Sequence, residues 1–252
     1  MKFILLFHGL SFTSQRWNIP YWGNIPDQLE EQGFTCFQVP TGAYDSPEQA
    51  CKKAVAFIKS KKSVFLNYPI HLVGHSRGGI DAILTAQVLD KDLNISSISC
   101  ISAPIQGALA AKKIVDKYTK TSFLYKLLNL MGKILGDKNP DAYEALRQLS
   151  LDWSDKISST IKIFIYESKY PVHKMSWLWK RIASFLYGAE HAGDGMVNFS
   201  NLKLNQSNVE FFCMNSLSDK IIYHWSMLRW PTWLGGKRVD LASLLLSNLS
   251  KL

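Results

Sequence analysis

The residues best suited to do chemistry are Gly74-His75-Ser76-Arg77-Gly78-Gly79. They follow the apolar run Ile70-His71-Leu72-Val73 and precede a helical pattern that runs to about Leu89. A serine with glycines on both sides, in this context, sits on a strained strand-to-helix turn. The glycines permit the turn and let helix and strand pack closely. The hydroxyl then projects at a helix N-terminus, where backbone N–H groups favour developing negative charge. That placement suits a nucleophile attacking a carbonyl carbon. It fits the pattern better than a serine that merely caps the helix.

Such an attack needs a base, a carboxylate to orient the base, and donors for the oxyanion. The six histidines are His8, His71, His75, His173, His191 and His224. Around a nucleophile turn of this kind the chain order is serine, acid, histidine. His8 and His71 precede Ser76, and His75 adjoins it. That leaves His173, His191 and His224. His224 follows the last strand-like run, the expected place for the base. Glu190, Asp194 and Asp219 are the acid candidates. Asp194 lies in Gly193-Asp194-Gly195-Met196-Val197, which reads as a flexible, glycine-flanked loop able to present a carboxylate. Asp219 stands five positions before His224 and fits a turn. Phe7-His8-Gly9-Leu10 ends the first strand, and a loop there supplies one oxyanion donor. The predicted set is therefore Ser76, Asp194 and His224, with the Leu10 and Arg77 N–H groups as oxyanion donors. His8 is expected to shape its loop. The chemistry requires neither a metal nor an organic cofactor.

Positioning these residues needs strands that end at one edge. Six short runs read as buried strands: Lys2–Phe7, Phe34–Val39, Ile70–Val73, Ile95–Ser102, Ile161–Glu167 and Val209–Met214. They are rich in Ile, Val and Phe and lack strict alternation, as expected for a parallel sheet covered on both faces. Helical segments lie between them. Ser46-Pro47-Glu48-Gln49 predicts a capping box with proline at the first helical position. Asp240 to Leu252 predicts a last helix with Leu241, Leu244, Leu245 and Leu249 on one face. This alternation predicts a doubly wound α/β sheet.

The length suits one domain over residues 1–252. Hydrophobic residues make up 47% of it, enough to build a core. A long helical stretch, Ile105 to Ser159, exceeds a simple crossover and reads as a lid-like insertion. Tyr170 to Gly193 reads as a second insertion. Cys36, Cys51, Cys100 and Cys213 are scattered, which suggests neither a disulfide framework nor a zinc site. Cys36, Cys100 and Cys213 fall in apolar runs where a buried thiol is ordinary. The apolar start, Met1 to Phe7, is too short for a signal peptide, and no run is long enough to span a bilayer. A cytoplasmic chain, or one exported by a signal-independent route, is expected.

Several of these segments together resemble the bacterial true lipases of the α/β-hydrolase superfamily. The resemblance covers most of the chain. It rests on His8-Gly9-Leu10, on Tyr21-Trp22-Gly23-Asn24-Ile25-Pro26-Asp27-Gln28-Leu29, and on the Gly74–Gly79 turn. Ser102-Ala103-Pro104-Ile105-Gln106-Gly107 looks like the family's S-A-P-H-x-G, with Ile105 in place of histidine. Asp194-Gly195-Met196-Val197 is similar to its acid loop, and His224 matches its closing histidine. The resemblance implies an α/β-hydrolase fold with about six mostly parallel strands and a helical lid. It also implies cleavage of carboxylic esters of lipids through an acyl-enzyme, with no cofactor. The same triad serves acyl thioesterases and acyltransferases. Where the family has an aspartate that helps hold a structural calcium, this chain has Ser226, so one hard oxygen ligand is missing. Relatives are usually secreted with a signal peptide.

The formal net charge of +9 favours anionic partners. Lys174–Leu186 places Met175, Leu178, Trp179, Ile182 and Leu186 on one face and Lys174, Lys180 and Arg181 away from it. Phe123–Leu135 is apolar nearly all round. Trp225, Trp230 and Trp233 add aromatic surface near His224. Basic residues and tryptophans beside an apolar face suit a membrane interface. The expected partners are a lipid or ester substrate and an anionic membrane surface. The lysines are dispersed and no nucleic-acid motif is present, so no nucleic-acid partner is expected.

Overall fold

Apolar runs of Ile, Val and Phe form strands because their branched side chains pack on a pleated surface covered from both sides. In a computed structural model of the chain, residues 1–11, 21–158, 160–198, 206–214, 224 and 240–250 are described. The strands are β1 (Lys2–Phe7), β2 (Phe34–Gln38), β3 (Ile70–His75), β4 (Ile95–Ile101), β5 (Lys162–Glu167), β6 (Tyr170–Pro171), β7 (Ala192–Gly193) and β8 (Val209–Cys213). The helices are α1 (Ile25–Glu30), α2 (Pro47–Ser60), α3 (Lys62–Phe65), α4 (Arg77–Leu89), α5 (Leu109–Lys117), α6 (Phe123–Ile134), α7 (Ala142–Leu149), α8 (Trp177–Leu186) and α9 (Leu241–Leu249). All six predicted strands form, with ends shifted by two residues at most.

Six strands make one sheet in the order β2-β1-β3-β4-β5-β8, and every pairing is parallel. The order reverses at β1, with β2 on one side and β3 on the other. Open α/β sheets bind ligands outside the carboxyl ends of the strands at such a reversal. The chain leaves β1 at His8 and β3 at Ser76, so both predicted loops emerge at that point. β6 and β7 form a separate two-residue antiparallel ladder.

Alternation along β1 divides the core. Phe3, Leu5 and Phe7 face Ala54 and Ile58 of α2, Phe65 of α3, and Ala82, Ile83 and Leu89 of α4. Ile4 and Leu6 face Ile25 and Leu29 of α1 and Leu241, Leu245 and Leu249 of α9. The α2 capping box forms as expected: Gln49 N–H donates to Ser46 Oγ (3.3 Å) and Ser46 N–H donates to Gln49 Oε1 (3.1 Å). Within residues 105–159, Tyr125, Ala142, Leu146 and Leu149 pack against Tyr44, Ile80 and Leu84, which ties these helices to α4. Phe123, Leu127, Leu130, Met131 and Ile134 of α6 stay exposed. In α8, Trp179, Ile182, Ala183 and Leu186 pack with Val172 and Met175, so the apolar face expected to meet a membrane is instead turned into the core, while Trp177 and Phe185 on the other side are exposed.

The expectation of a buried thiol fails at Cys213, which is exposed in β8, a strand paired on one side only among the described residues. Cys100 in the central β4 is buried, and Cys36 is half-buried; all four cysteines are thiols.

Two buried polar groups shape the fold around the turn at Ser76. Arg77, predicted for its amide alone, buries its whole side chain. Nε donates to Asp81 Oδ2 (3.0 Å), Nη1 to the carbonyls of Gly42 (3.0 Å) and Asp45 (3.1 Å), and Nη2 to Thr41 Oγ1 (3.2 Å). The guanidinium thereby fastens residues 41–45 to the start of α4. Burial pushes the Asp81 carboxyl up to about 7, against the pull of Arg77. His71 in β3 bonds Ser97 Oγ through Nδ1 (2.9 Å), and burial, aided by Lys2, lowers its pKa to about 4.

Removing one partner of a buried pair leaves an uncompensated charge, at a cost of about 3–5 kcal/mol. Arg77→Met is expected to lose that much in urea denaturation. Arg77→Met/Asp81→Leu should lose less than the two single changes added together. His71 gives a pH signature. Its folded pKa (about 4) lies below the unfolded value near 6.5, so the unfolded chain takes up the proton first as pH falls. The stability is present above about pH 6.5 and is lost towards pH 4. Thermal melts should show the native chain losing up to about 3 kcal/mol more than His71→Leu over that window.

Candidate active site

Ser76 occupies the turn between β3 and α4 with φ 57° and ψ −126°. A non-glycine residue at positive φ costs about 1–3 kcal/mol and persists only where its surroundings hold it. Here Ser76 N–H donates to Ile101 O (2.8 Å) and Gly79 N–H donates to Ser76 O (3.1 Å). The glycines make the approach possible. A Cβ on Gly78 would lie 2.1 Å from Phe7 O, and one on Gly74 would lie 2.1 Å from Gly78 O. Any side chain at either position would drive α4 away from β1 and β3. Ser76 itself remains partly exposed.

The loop after β1 passes directly against this serine, since a Cβ on Gly9 would lie 3.0 Å from Ser76 Cβ. Arg77 is the first residue of α4, where an amide has no acceptor within its own helix. Among the described residues, neither the Leu10 nor the Arg77 N–H donates to a backbone carbonyl outside the helices and strands. His8 shapes the loop, as expected. Its Nδ1 lies 2.8 Å from Gly9 O, and its Nε2 lies 3.1 Å from Thr41 O and 2.9 Å from the Thr41 hydroxyl. Burial, reinforced by the Arg77 charge, lowers the His8 pKa to about 4 and keeps the ring neutral.

Asp194 and His224, separated by 30 positions, meet in the interior. His224 Nδ1 and Asp194 Oδ2 lie 2.7 Å apart. The other carboxylate oxygen accepts from the amides of Met196 (2.9 Å) and Val197 (2.8 Å). His224 N–H donates to Asp194 O (3.0 Å), and Asp194 N–H donates to Val197 O (3.1 Å). Gly195 N–H donates to the Tyr187 hydroxyl (3.2 Å). The reading of residues 193–197 as a flexible loop is therefore corrected. It is a hydrogen-bonded turn with a buried carboxylate, entered from β7 and closed by a bridge between Gly193 and Asn198. With Nδ1–H given to the carboxylate, His224 keeps Nε2 as its proton acceptor.

The His75 ring, one residue before Ser76, stands 4.5 Å from the His224 ring, centroid to centroid. Among the described residues no hydrogen bond joins Ser76 Oγ to His224; such bonds tighten only with substrate in many hydrolases. Of the other candidates, Glu190 pairs with His191 at the surface (3.4 Å), and His173 is exposed. Asp219, Ser226, Trp225, Trp230 and Trp233 lie outside the described residues. Two residues escape a reading of the sequence: His75, a mere neighbour of the serine there, and Tyr21, whose hydroxyl bonds His75 Nδ1 at 2.7 Å. Nothing in the spacing of positions 21 and 75 announces that contact.

No family model matches the chain. A triacylglycerol lipase of Pseudarthrobacter phenanthrenivorans is 23% identical over 160 residues, covering 58% of this chain and 50% of the relative. The chain thus spans about half the length of that relative. Lipase 1 from Pelosinus fermentans superposes with a TM-score of 0.64 at 15% identity, over 99% of this chain and 98% of its own. The mature lipase BlEst2 of Bacillus licheniformis gives a TM-score of 0.62 at 16% identity, over 98% of this chain and 90% of its own. The six-stranded parallel sheet and these likenesses show that the chain shares the fold of these two lipases.

Proposed function

We propose that the chain is a carboxylic ester hydrolase acting on lipid esters through an acyl-enzyme. The observation that carries the reading is the buried Asp194–His224 pair, beside a serine held at positive φ against the Gly9 loop. Ser76 Oγ attacks the ester carbonyl carbon and passes its proton to His224 Nε2. Asp194 stabilises the imidazolium so formed. The Leu10 and Arg77 N–H groups donate to the oxyanion, each worth about 3 kcal/mol in the transition state. Collapse breaks the bond to the alcohol, which leaves with the proton from His224. Water then attacks the acyl-enzyme with His224 as base, and Ser76 regains its proton as the carboxylic acid departs. Every step uses side chains and amides of this chain. A glyceride, a phospholipid or a simpler ester meets these requirements, and the similarity to triacylglycerol lipases favours an acyl chain.

The exposed surface supports a membrane-contacting lid. Phe123, Leu127, Leu130, Met131 and Ile134 form one exposed apolar stripe on α6, with Lys126 and Lys133 exposed beside it. Trp177 and Phe185 of α8 are 72% and 71% exposed beside Lys180 and Arg181. Apolar side chains flanked by cations suit an anionic lipid surface. Among the described residues no helix is long and apolar enough to cross a membrane, so contact would be peripheral.

Ser76→Ala is expected to abolish turnover across a panel of nitrophenyl esters, glycerides, phospholipids and acyl-CoA, and a fluorophosphonate probe should label Ser76 in the native chain. Full activity in Ser76→Ala, or labelling elsewhere, would sink the assignment; turnover of acyl-CoA alone would redirect it to thioesters. In liposome co-sedimentation, binding should rise with anionic lipid fraction and fall with salt. Absence of binding at low salt would remove the membrane contact.

A further inference from the structure

A chain of hydrogen bonds runs beneath the serine and uses none of the groups assigned to bond making. Gly9 N–H donates to the Tyr21 hydroxyl oxygen (2.8 Å). The Tyr21 hydroxyl lies 2.7 Å from His75 Nδ1, and His75 Nε2 lies 3.2 Å from the main-chain carbonyl of His224. A carbonyl only accepts, so His75 Nε2 carries the hydrogen. In a neutral ring Nδ1 then holds a lone pair, and the Tyr21 hydroxyl donates to it. One proton arrangement satisfies all three contacts, and each link points the same way, from the Gly9 loop to the His224 segment. Tyr21, His75 and His224 are all buried. Burial, with the neighbouring His224 charge, holds the His75 pKa well below its usual value, so the ring stays in the form the chain needs. Burial also raises the Tyr21 pKa above its usual value and keeps its proton in place.

The consequence is geometric. The Gly9 amide is already committed to Tyr21, and Leu10 N–H, the next amide of that loop, is the donor assigned to the oxyanion. His224 is held at three points: Asp194 holds its ring and its N–H, and His75 holds its carbonyl. His75 cannot serve as the base for its neighbour Ser76, because both ring nitrogens are engaged. We propose that Tyr21 and His75 are positioning residues that tie the oxyanion loop to the histidine-bearing segment through the Ser76 turn. They set the distance between the oxyanion donor and the base on either side of the serine. This inference rests on the hydrolase reading above.

The test uses nitrophenyl butyrate with the native chain and Ser76→Ala, Tyr21→Phe, His75→Leu, His75→Gln and Tyr21→Phe/His75→Leu. Tyr21→Phe and His75→Leu should each lower kcat about 10-fold with KM within about two-fold, because they disturb the transition state and not ground-state binding. The double variant should be no slower than the slower single one, since both changes cut one chain. His75→Gln keeps an acceptor and a donor at the required reach, and should stay within about three-fold of the native kcat. If His75→Leu does not fold, Tyr21→Phe, which removes a single oxygen, carries the test alone. Native kcat in Tyr21→Phe and in whichever His75→Leu folds, or losses that multiply in the double variant, overturn the proposal while Ser76→Ala remains inactive. An active Ser76→Ala, or a native chain without esterase activity, overturns the hydrolase reading and this inference with it.

Discussion

The first turn of α4 approaches the ends of β1 and β3 so closely that only glycine fits at positions 74 and 78. That contact sets the geometry of the whole site. It forces Ser76 into a backbone conformation a serine normally avoids, and neighbouring strands supply the hydrogen bonds that hold it there. It brings the loop after β1 against the serine, because the same glycine that meets Phe7 also meets His8. It leaves the Arg77 amide at the helix start, without an acceptor in its own helix. A strained residue in a tightly packed frame pre-organises its surroundings before any ligand arrives.

Arg77 links this frame to the rest of the molecule. Its amide is proposed as an oxyanion donor, whereas its side chain is a buried strut that binds three carbonyls of residues 42–45 and the Asp81 carboxylate. Thr41 continues the strut to His8, and His8 returns to the Gly9 carbonyl. Tyr21 and His75 approach the same loop from the other side. The loop after β1 is therefore held by two polar networks in a low-dielectric interior, where each satisfied bond is strong and each lost partner is costly.

The helices outside the sheet divide their faces differently. Residues 105–159 bury one side against α4 and the 41–45 segment, so they are anchored at the same turn. α6 nevertheless exposes five large apolar side chains, and α8 exposes a tryptophan and a phenylalanine. On α6 these side chains fall on one stripe, and the proposed membrane contact rests on it. The bond from Leu109 N–H to Asn198 Oδ1 joins the start of α5 to the turn that carries Asp194. Helix and acid loop therefore share a boundary.

The sequence by itself determined the sheet, its strand boundaries, the α2 cap and the serine turn, because these depend on local patterns: apolar runs, a capping box and glycines around one serine. Chain order narrowed the histidines to His173, His191 and His224, and place after the last strand-like run then favoured His224, as a glycine-flanked loop favoured Asp194. Tertiary structure alone decided how those two meet. Asp194 reads as a loop residue between glycines, yet five hydrogen bonds to its carboxylate and main chain turn that loop into a buried, rigid bend. The bonds from Arg77 to residues 41–45 and the Tyr21–His75 link were equally invisible, since their partners lie 32 to 36 and 54 positions away. Hydrogen bonds between distant segments leave no periodicity in the chain; they exist only once the core has brought the segments together and excluded the water that would compete for them.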